Sequence, residues 1–235
     1  MKKLLVFNHK TYLDYENIKE YIDIVKDKIR TDMEVVICPN VAFIPFFRGK
    51  YDFKLGSGNV SSIPITGEVN GSILKSLGVS YVLIGHSDRK KYLSEKETIN
   101  SKVKECLKYN IKPIICVGET LEERGLKKTQ DVIIKQIREA LRGVDVNQDI
   151  IFAYEPVWAV GSGMTPPIEG IKEVVNMIKN SIYRAHNVNI RVLYGGSINE
   201  NNITKLNNIS EIDGYIIGKA STSYDKTLKI MELID

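Results

Sequence analysis

Short apolar runs alternate with longer amphipathic stretches along the whole chain. Residues 4–7, 35–38, 54–57, 81–85, 114–117, 150–154, 191–194 and 215–217 have the length and apolar density of buried strands. Between them, apolar positions recur at helical spacing, which predicts helices over 18–29, 96–109, 132–141 and 168–184. The last of these places Ile171, Val174, Val175, Ile178 and Ile182 on one face. Eight strand-then-helix units predict an α/β fold, a closed (β/α)8 barrel formed as a single domain over residues 1–235. An open doubly wound sheet is the competing architecture. It would carry a glycine-rich turn after its first strand, whereas this first strand runs into Asn8-His9-Lys10.

Composition narrows the chemistry. Of 235 residues, 43% are hydrophobic and 26% charged, which suits a globular domain with a substantial core. The net charge of +4 is spread along the chain and mildly favours small anionic substrates. No Arg/Lys block is interleaved with aromatics, so nucleic acid is not an expected partner. No apolar stretch approaches a membrane span, and the run after Lys2-Lys3 is too short for a signal peptide, so neither membrane insertion nor export is expected. The three cysteines, Cys38, Cys106 and Cys116, are odd in number and widely spaced. That argues against a disulfide framework and for a reducing cytoplasm. With three histidines and no HExxH or CxxC spacing, no metal site is expected.

Barrels of this kind place their active sites at the C-terminal ends of the strands. The polar residues just beyond each apolar run are therefore the candidates. Asn8 and Lys10 follow the first run, and His86, Ser87 and Asp88 the fourth. Gly195-Gly196-Ser197 follow the seventh, and Gly218-Lys219-Ala220-Ser221 the eighth. These last two loops are where such barrels hold phosphate. Glycine lets backbone N–H groups approach an anion, a helix N-terminus adds a favourable dipole, and Ser197 adds a hydroxyl donor. Gly195-Gly196 alone reads equally as a plain turn, and a glycine in each of the two loops favours phosphate. His86 alone reads as a structural histidine. At a helix N-terminus, however, the dipole disfavours the imidazolium and leaves a neutral ring that can donate to a carbonyl oxygen. Lys10 is either a solvated lysine or a fixed charge for phosphate and a developing oxyanion. Asn8 either caps a turn or orients that lysine or the carbonyl.

Glu155 carries the sharpest signal. It ends the sixth run and precedes Pro156-Val157-Trp158-Ala159-Val160-Gly161-Ser162-Gly163. A salt-bridged strand-end glutamate would not need that segment. A proline hinge, a Trp158 that anchors on apolar surface, and a Gly161 N–H offered to a ligand together describe a closable lid. Thr165 is expected to cap the next helix, with Pro166 in its first turn. A carboxylate beneath a lid suits proton transfer away from water.

Taken in order, Asn8-His9-Lys10, Thr66-Gly67-Glu68, Ile84-Gly85-His86-Ser87, Cys116-Val117-Gly118-Glu119, residues 153–163, Tyr194-Gly195-Gly196-Ser197 and Gly218-Lys219-Ala220-Ser221 resemble the motifs of the triosephosphate isomerase family over nearly the whole chain. The resemblance implies a TIM barrel and an aldose–ketose isomerase. Its reaction would interconvert dihydroxyacetone phosphate and glyceraldehyde 3-phosphate through an enediolate, a step of glycolysis and gluconeogenesis, with no metal or organic cofactor. It also implies Glu155 as base, His86 as electrophile, Lys10 as electrostatic stabiliser and Asn8 as positioning residue. Gly161, Ser197 and Gly218 would hold the phosphate, with Gly195, Gly196 and Lys219 beside them. In the family the loop after strand three braces the Asn and Lys of a neighbouring subunit, so a cytoplasmic homodimer is expected.

Several positions depart from the family pattern. His9 replaces a Trp, Asp88 a Glu, Met164-Thr165-Pro166 a Lys-Thr-Ala, and Lys219 a second glycine. Ser57-Gly58-Asn59 stands for Ala-Gln-Asn, and the loop that follows is shorter. Asp88 is one methylene short of the usual residue, which puts its reach to Lys10 in question. These changes motivate a second reading, a paralogous isomerase of another short sugar phosphate such as a tetrulose phosphate. A third reading is a non-catalytic phosphosugar-binding protein, against which the intact set Lys10, His86 and Glu155 argues.

Overall fold

The computed structural model describes residues 2–47, 51–93 and 98–234. Eight parallel strands close into a barrel in sequence order: β1 (Leu4–Asn8), β2 (Glu34–Cys38), β3 (Lys54–Ser57), β4 (Val79–Ile84), β5 (Lys112–Val117), β6 (Ile151–Tyr154), β7 (Arg191–Tyr194) and β8 (Gly214–Ile217). Pairing of β8 with β1, Phe7 opposite Ile217, completes the ring and excludes the open sheet. Side-chain alternation divides the strand residues into two layers. Leu4, Val6, Val36, Leu83, Ile114, Ala153, Leu193 and Ile216 fill the interior with Cys38 and Cys116. Leu5, Phe7, Val82, Ile84, Val117, Phe152 and Val192 pack outward into the helical layer. Both faces are covered, which is why the strands read as continuous apolar runs.

Around the barrel lie α1 (Tyr15–Val25), α2 (Gly71–Ser76), α3 (Ser87–Tyr92), α4 (Ile99–Lys108), α5 (Leu121–Gly125), α6 (Thr129–Ala140), α7 (Ile168–His186), α8 (Ile203–Asn207) and α9 (Tyr224–Glu232). The predicted helix 18–29 is displaced toward the N-terminus. Asp14 accepts the Asn17 N–H at 2.9 Å and starts α1 before the first apolar position. Thr98 caps α4 through the Ser101 N–H at 3.1 Å; positions 96 and 97 of the predicted helix 96–109 lie outside the described residues. α7 runs two residues past its predicted end, to a left-handed Asn187 at φ 56°.

Where the strands begin, Arg191 and the Tyr81 hydroxyl share the carboxylate of Glu34, with Arg191–Glu34 at 2.6 Å. This polar plug closes the end of the barrel opposite the candidate site and leaves the other rim to the loops. Among the described residues, Cys38, Cys106 and Cys116 are free and buried. No helix among them is long and apolar enough to cross a membrane.

Candidate active site

The strand ends bring the candidates to one cavity of about 650 Å³. It is lined by Asn8, Lys10, His86, Glu155, Gly161, Gly195, Gly196, Ser197, Gly218 and Lys219, which are remote in sequence. Asn8 is the last residue of β1, and its Oδ1 accepts the Lys10 N–H at 3.3 Å. Lys10 holds a left-handed backbone, φ 50°, a conformation that costs energy in a non-glycine residue and recurs at functional sites. Its ammonium lies 2.7 Å from Asp88, so the shorter acid does reach the lysine.

His86 caps α3. Its Nδ1 accepts the Asp88 N–H at 3.1 Å, which requires an unprotonated Nδ1 and leaves the proton of a neutral ring on Nε2. That Nε2 is 3.5 Å from Glu155 Oε1. Glu155 is 2% exposed. Its Oε2 accepts the Ser87 N–H at 3.1 Å, while Oε1 is buried with no hydrogen-bond partner among the described residues. One carboxylate oxygen is thus tethered and the other, without a hydrogen-bond partner among the described residues, lies toward His86 Nε2. Burial first, then the Glu155 charge, pushes the Cys116 thiol well up, so the group beside the base stays neutral.

The glycines after β7 make room for this arrangement. A Cβ on Gly195 would sit 2.7 Å from Glu155 Cγ, and one on Gly196 would sit 2.0 Å from the Tyr194 hydroxyl oxygen. Close packing against Glu155 and Tyr194 thus gives each glycine a structural reason of its own. Gly118 is tighter still, since its Cβ would fall 1.9 Å from the Glu155 carbonyl oxygen.

The lid makes contacts that its sequence did not announce. Trp158, half-buried, is also held by polar contacts: its Nε1 donates to Glu119 Oε1 at 3.3 Å, and the Arg124 guanidinium lies 5.2 Å over its ring. Thr165 does not cap the next helix, because α7 starts at Ile168 behind Pro167 with no side-chain cap; the Thr165 hydroxyl instead lies 3.4 Å from Asn202 Nδ2. Ser197 is committed to the lid, donating to the Ala159 carbonyl at 2.7 Å and accepting the Gly163 N–H at 3.1 Å. Its hydroxyl proton is thereby spoken for, and Gly196 and Ser197 offer their backbone N–H groups, for which no acceptor is found among the described residues.

Glu119 had no role in the sequence reading beyond its motif. It is fully buried, and its Oε1 accepts from Arg124 at 3.1 Å, Tyr154 at 3.2 Å and Trp158. Burial and the Glu119 charge push the Tyr154 hydroxyl up, which keeps it a donor. The available signal was positional: Glu119 follows a strand run just as Glu155 does.

A family model described as triosephosphate isomerase matches residues 3–234. The chain belongs to the triosephosphate isomerase family. It is 38% identical over 230 residues to a triosephosphate isomerase of Alkaliphilus oremlandii, covering 91% of this chain and 93% of that one. It is 39% identical to one of Dictyoglomus thermophilum, with 94% of each covered, and 33% identical to one of Mesomycoplasma hyorhinis, with 99% and 98% covered. His9 directly follows β1. It is 1% exposed, packs edge-on to Tyr21 at 4.6 Å between ring centroids, and finds no hydrogen-bond partner for either nitrogen among the described residues. Burial pulls its pKa down to about 4, opposed by the Ser221 backbone nearby. The ring acts here as a neutral packing group against Tyr21.

Proposed function

We propose that the protein interconverts dihydroxyacetone phosphate and glyceraldehyde 3-phosphate by proton transfer through an enediolate. The observation that carries this reading is the split Glu155 carboxylate, one oxygen tethered by Ser87 and the other bare and 3.5 Å from His86 Nε2. Glu155 Oε1 takes the proton from the carbon beside the substrate carbonyl and returns it to the neighbouring carbon. His86 donates from Nε2 to the carbonyl oxygen as a neutral imidazole, an arrangement for which this family is itself the standard example. The proton of the neighbouring hydroxyl passes to that oxygen as the enediolate collapses to the other carbonyl. Lys10, held by Asp88, faces the negative charge that develops on the enediolate, and Asn8 fixes the lysine backbone. The N–H groups of Gly161, Gly196, Ser197 and Gly218 receive the phosphate, and Lys219 stands beside them. The Ala159–Ser197–Gly163 contacts hold the lid shut over the cavity and keep water from the intermediate.

The reaction needs a carboxylate, a neutral donor and a cation, and no bound cofactor enters any of these steps. A homodimer fits the face beside the active site. A second cavity of about 300 Å³ is walled by Asn8, Lys10, Gly58, Glu68 and Asp88, and the loop that precedes Glu68 exposes Ile63 and Ile65. A second copy's apolar loop tip would brace the two site residues it reaches. The cytoplasm is the compartment that suits a phosphorylated substrate and three free cysteines. The deciding experiment is a coupled assay on glyceraldehyde 3-phosphate with a tetrulose phosphate alongside. We expect kcat/KM for the triose near the diffusional range of about 10⁸ M⁻¹s⁻¹. Faster turnover of the tetrose would transfer the reading to a paralogous isomerase.

A further inference from the structure

The active-site cavity extends outward beyond the glycine loops, to Tyr12, Asn199, Lys219, Thr222 and Lys226. Its lining carries three ammonium groups, Lys10, Lys219 and Lys226, against the single carboxylate of Glu155. Two of these cations are held by partners. Lys10 pairs with Asp88 at 2.7 Å, and Lys226 pairs with Glu200 at 3.0 Å. Lys219 has no ion-pair partner among the described residues. The turn that carries it is rigid: Ser221 Oγ donates to the Gly218 carbonyl and Thr222 Oγ1 to the Lys219 carbonyl, both at 2.8 Å. Lys10 passes just inside this turn, its Cε 3.8 Å from where a Cβ on Gly218 would sit. The isomerisation develops charge at Glu155, His86 and Lys10, and the phosphate is received by backbone N–H groups. Lys219 borders that phosphate site on its outer side, and Lys226 takes no part in either.

We infer that the outer half of this cavity is a second anion subsite, so that the protein prefers small ligands carrying two phosphoryl groups to the matching monophosphates. The inference rests on the proposed phosphate site, which would take the first phosphoryl group. The second would lie between the Lys219 and Lys226 ammonium groups, with Tyr12 and Asn199 as neutral donors. Lys226 stays in place through Glu200 and keeps further N–H donors for the ligand. Both lysines are exposed, so little desolvation opposes the contact, and salt weakens it.

The test is titration calorimetry with propyl phosphate and propanediol bisphosphate at matched ionic strength. We expect the bisphosphate to bind about tenfold more tightly, the weight of one hydrogen bond to a charged group. In the doubly substituted protein, Lys219→Gly with Lys226→Met, the ratio of the two affinities should fall close to one. Circular dichroism melting checks that this variant is folded. Equal affinities in the unsubstituted protein, or a preference that survives both substitutions, would overturn the subsite. Triose turnover with a ratio near one rejects the subsite alone. A preserved ratio without triose turnover rejects the isomerase reading and leaves the subsite standing. Failure of both probes to bind rejects the two together.

Discussion

Shortening Glu155 to aspartate withdraws the bare oxygen from the carbon it must reach and leaves charge and burial unchanged. We expect Glu155→Asp to lower kcat by about a hundredfold, the scale of a misplacement near 1 Å, with KM little altered. A fall in thermal stability equal to the loss of activity would assign Glu155 a structural role. Gly195→Ala attacks the same group from outside, since the added carbon would sit 2.7 Å from Glu155 Cγ. Its expected result is at least tenfold lower kcat, because the carboxylate must leave its tether on Ser87. His9 makes a prediction about acid stability. Its folded pKa of about 4 lies below the unfolded value of about 6.5, so the unfolded chain binds the proton first. Stability is therefore complete above about pH 6.5 and falls by up to about 3 kcal/mol as the pH drops to about 4. His9→Phe keeps the edge contact with Tyr21 and removes the proton site. Urea midpoints for the two proteins should diverge across this window and agree above it; parallel curves would show that His9 is not buried as a neutral ring.

The lid is the element on which turnover depends. It is fastened at its start through Trp158 and Glu119 and at its tip through Ser197. Ser197→Ala deletes the tip contacts and nothing from the proton-transfer set. The closed state should weaken by about 1 kcal/mol, and kcat/KM should fall by roughly threefold to tenfold. An unchanged kcat/KM would mean that the tip bonds form only incidentally. Pro166 and Pro167 lie ahead of α7 and stiffen the lid's trailing end. The short helices α2, α3 and α5 hold the rim in shape through caps. Asn70, His86 and Thr120 each accept a backbone N–H, and Thr120 with Glu123 forms a full capping box. Segments of five or six residues complete too few turns to show a periodicity, so their presence depends on these side-chain caps and on the barrel beneath.

At the scale of the molecule, the barrel sets one rim aside for chemistry and closes the other with Glu34, Tyr81 and Arg191. The proposed homodimer would complete the chemical rim. Ile65 is 46% exposed, so Ile65→Glu should fold normally. A charge placed in the partner's cavity should raise the dimer dissociation constant by about a hundredfold or more. Light scattering at micromolar concentration is expected to show a dimer for the unsubstituted protein and a monomer for the variant. A monomer in both cases would remove the dimer proposal, and kcat measured on the same samples would show whether Asn8 and Lys10 need the brace.

The order of apolar runs was enough to predict eight alternating strand–helix units, because strands covered on both faces leave an uninterrupted apolar record. The pairing of β8 with β1 decided closure of the ring. The residue just after each run was enough to nominate Asn8, Lys10, His86, Glu155 and the two glycine loops, because a closed parallel barrel sends every strand end to one rim. Helix boundaries were less legible: α1 begins at a polar cap, which carries no periodicity. Only the tertiary structure could decide relations between residues far apart in the chain. These include Asp88 reaching Lys10, Ser87 holding one oxygen of Glu155, Glu119 gathering Arg124, Tyr154 and Trp158, and Ser197 joining the lid. Such contacts turn on ångström separations across the barrel, and a linear pattern of apolar and polar positions holds no measure of distance between strands.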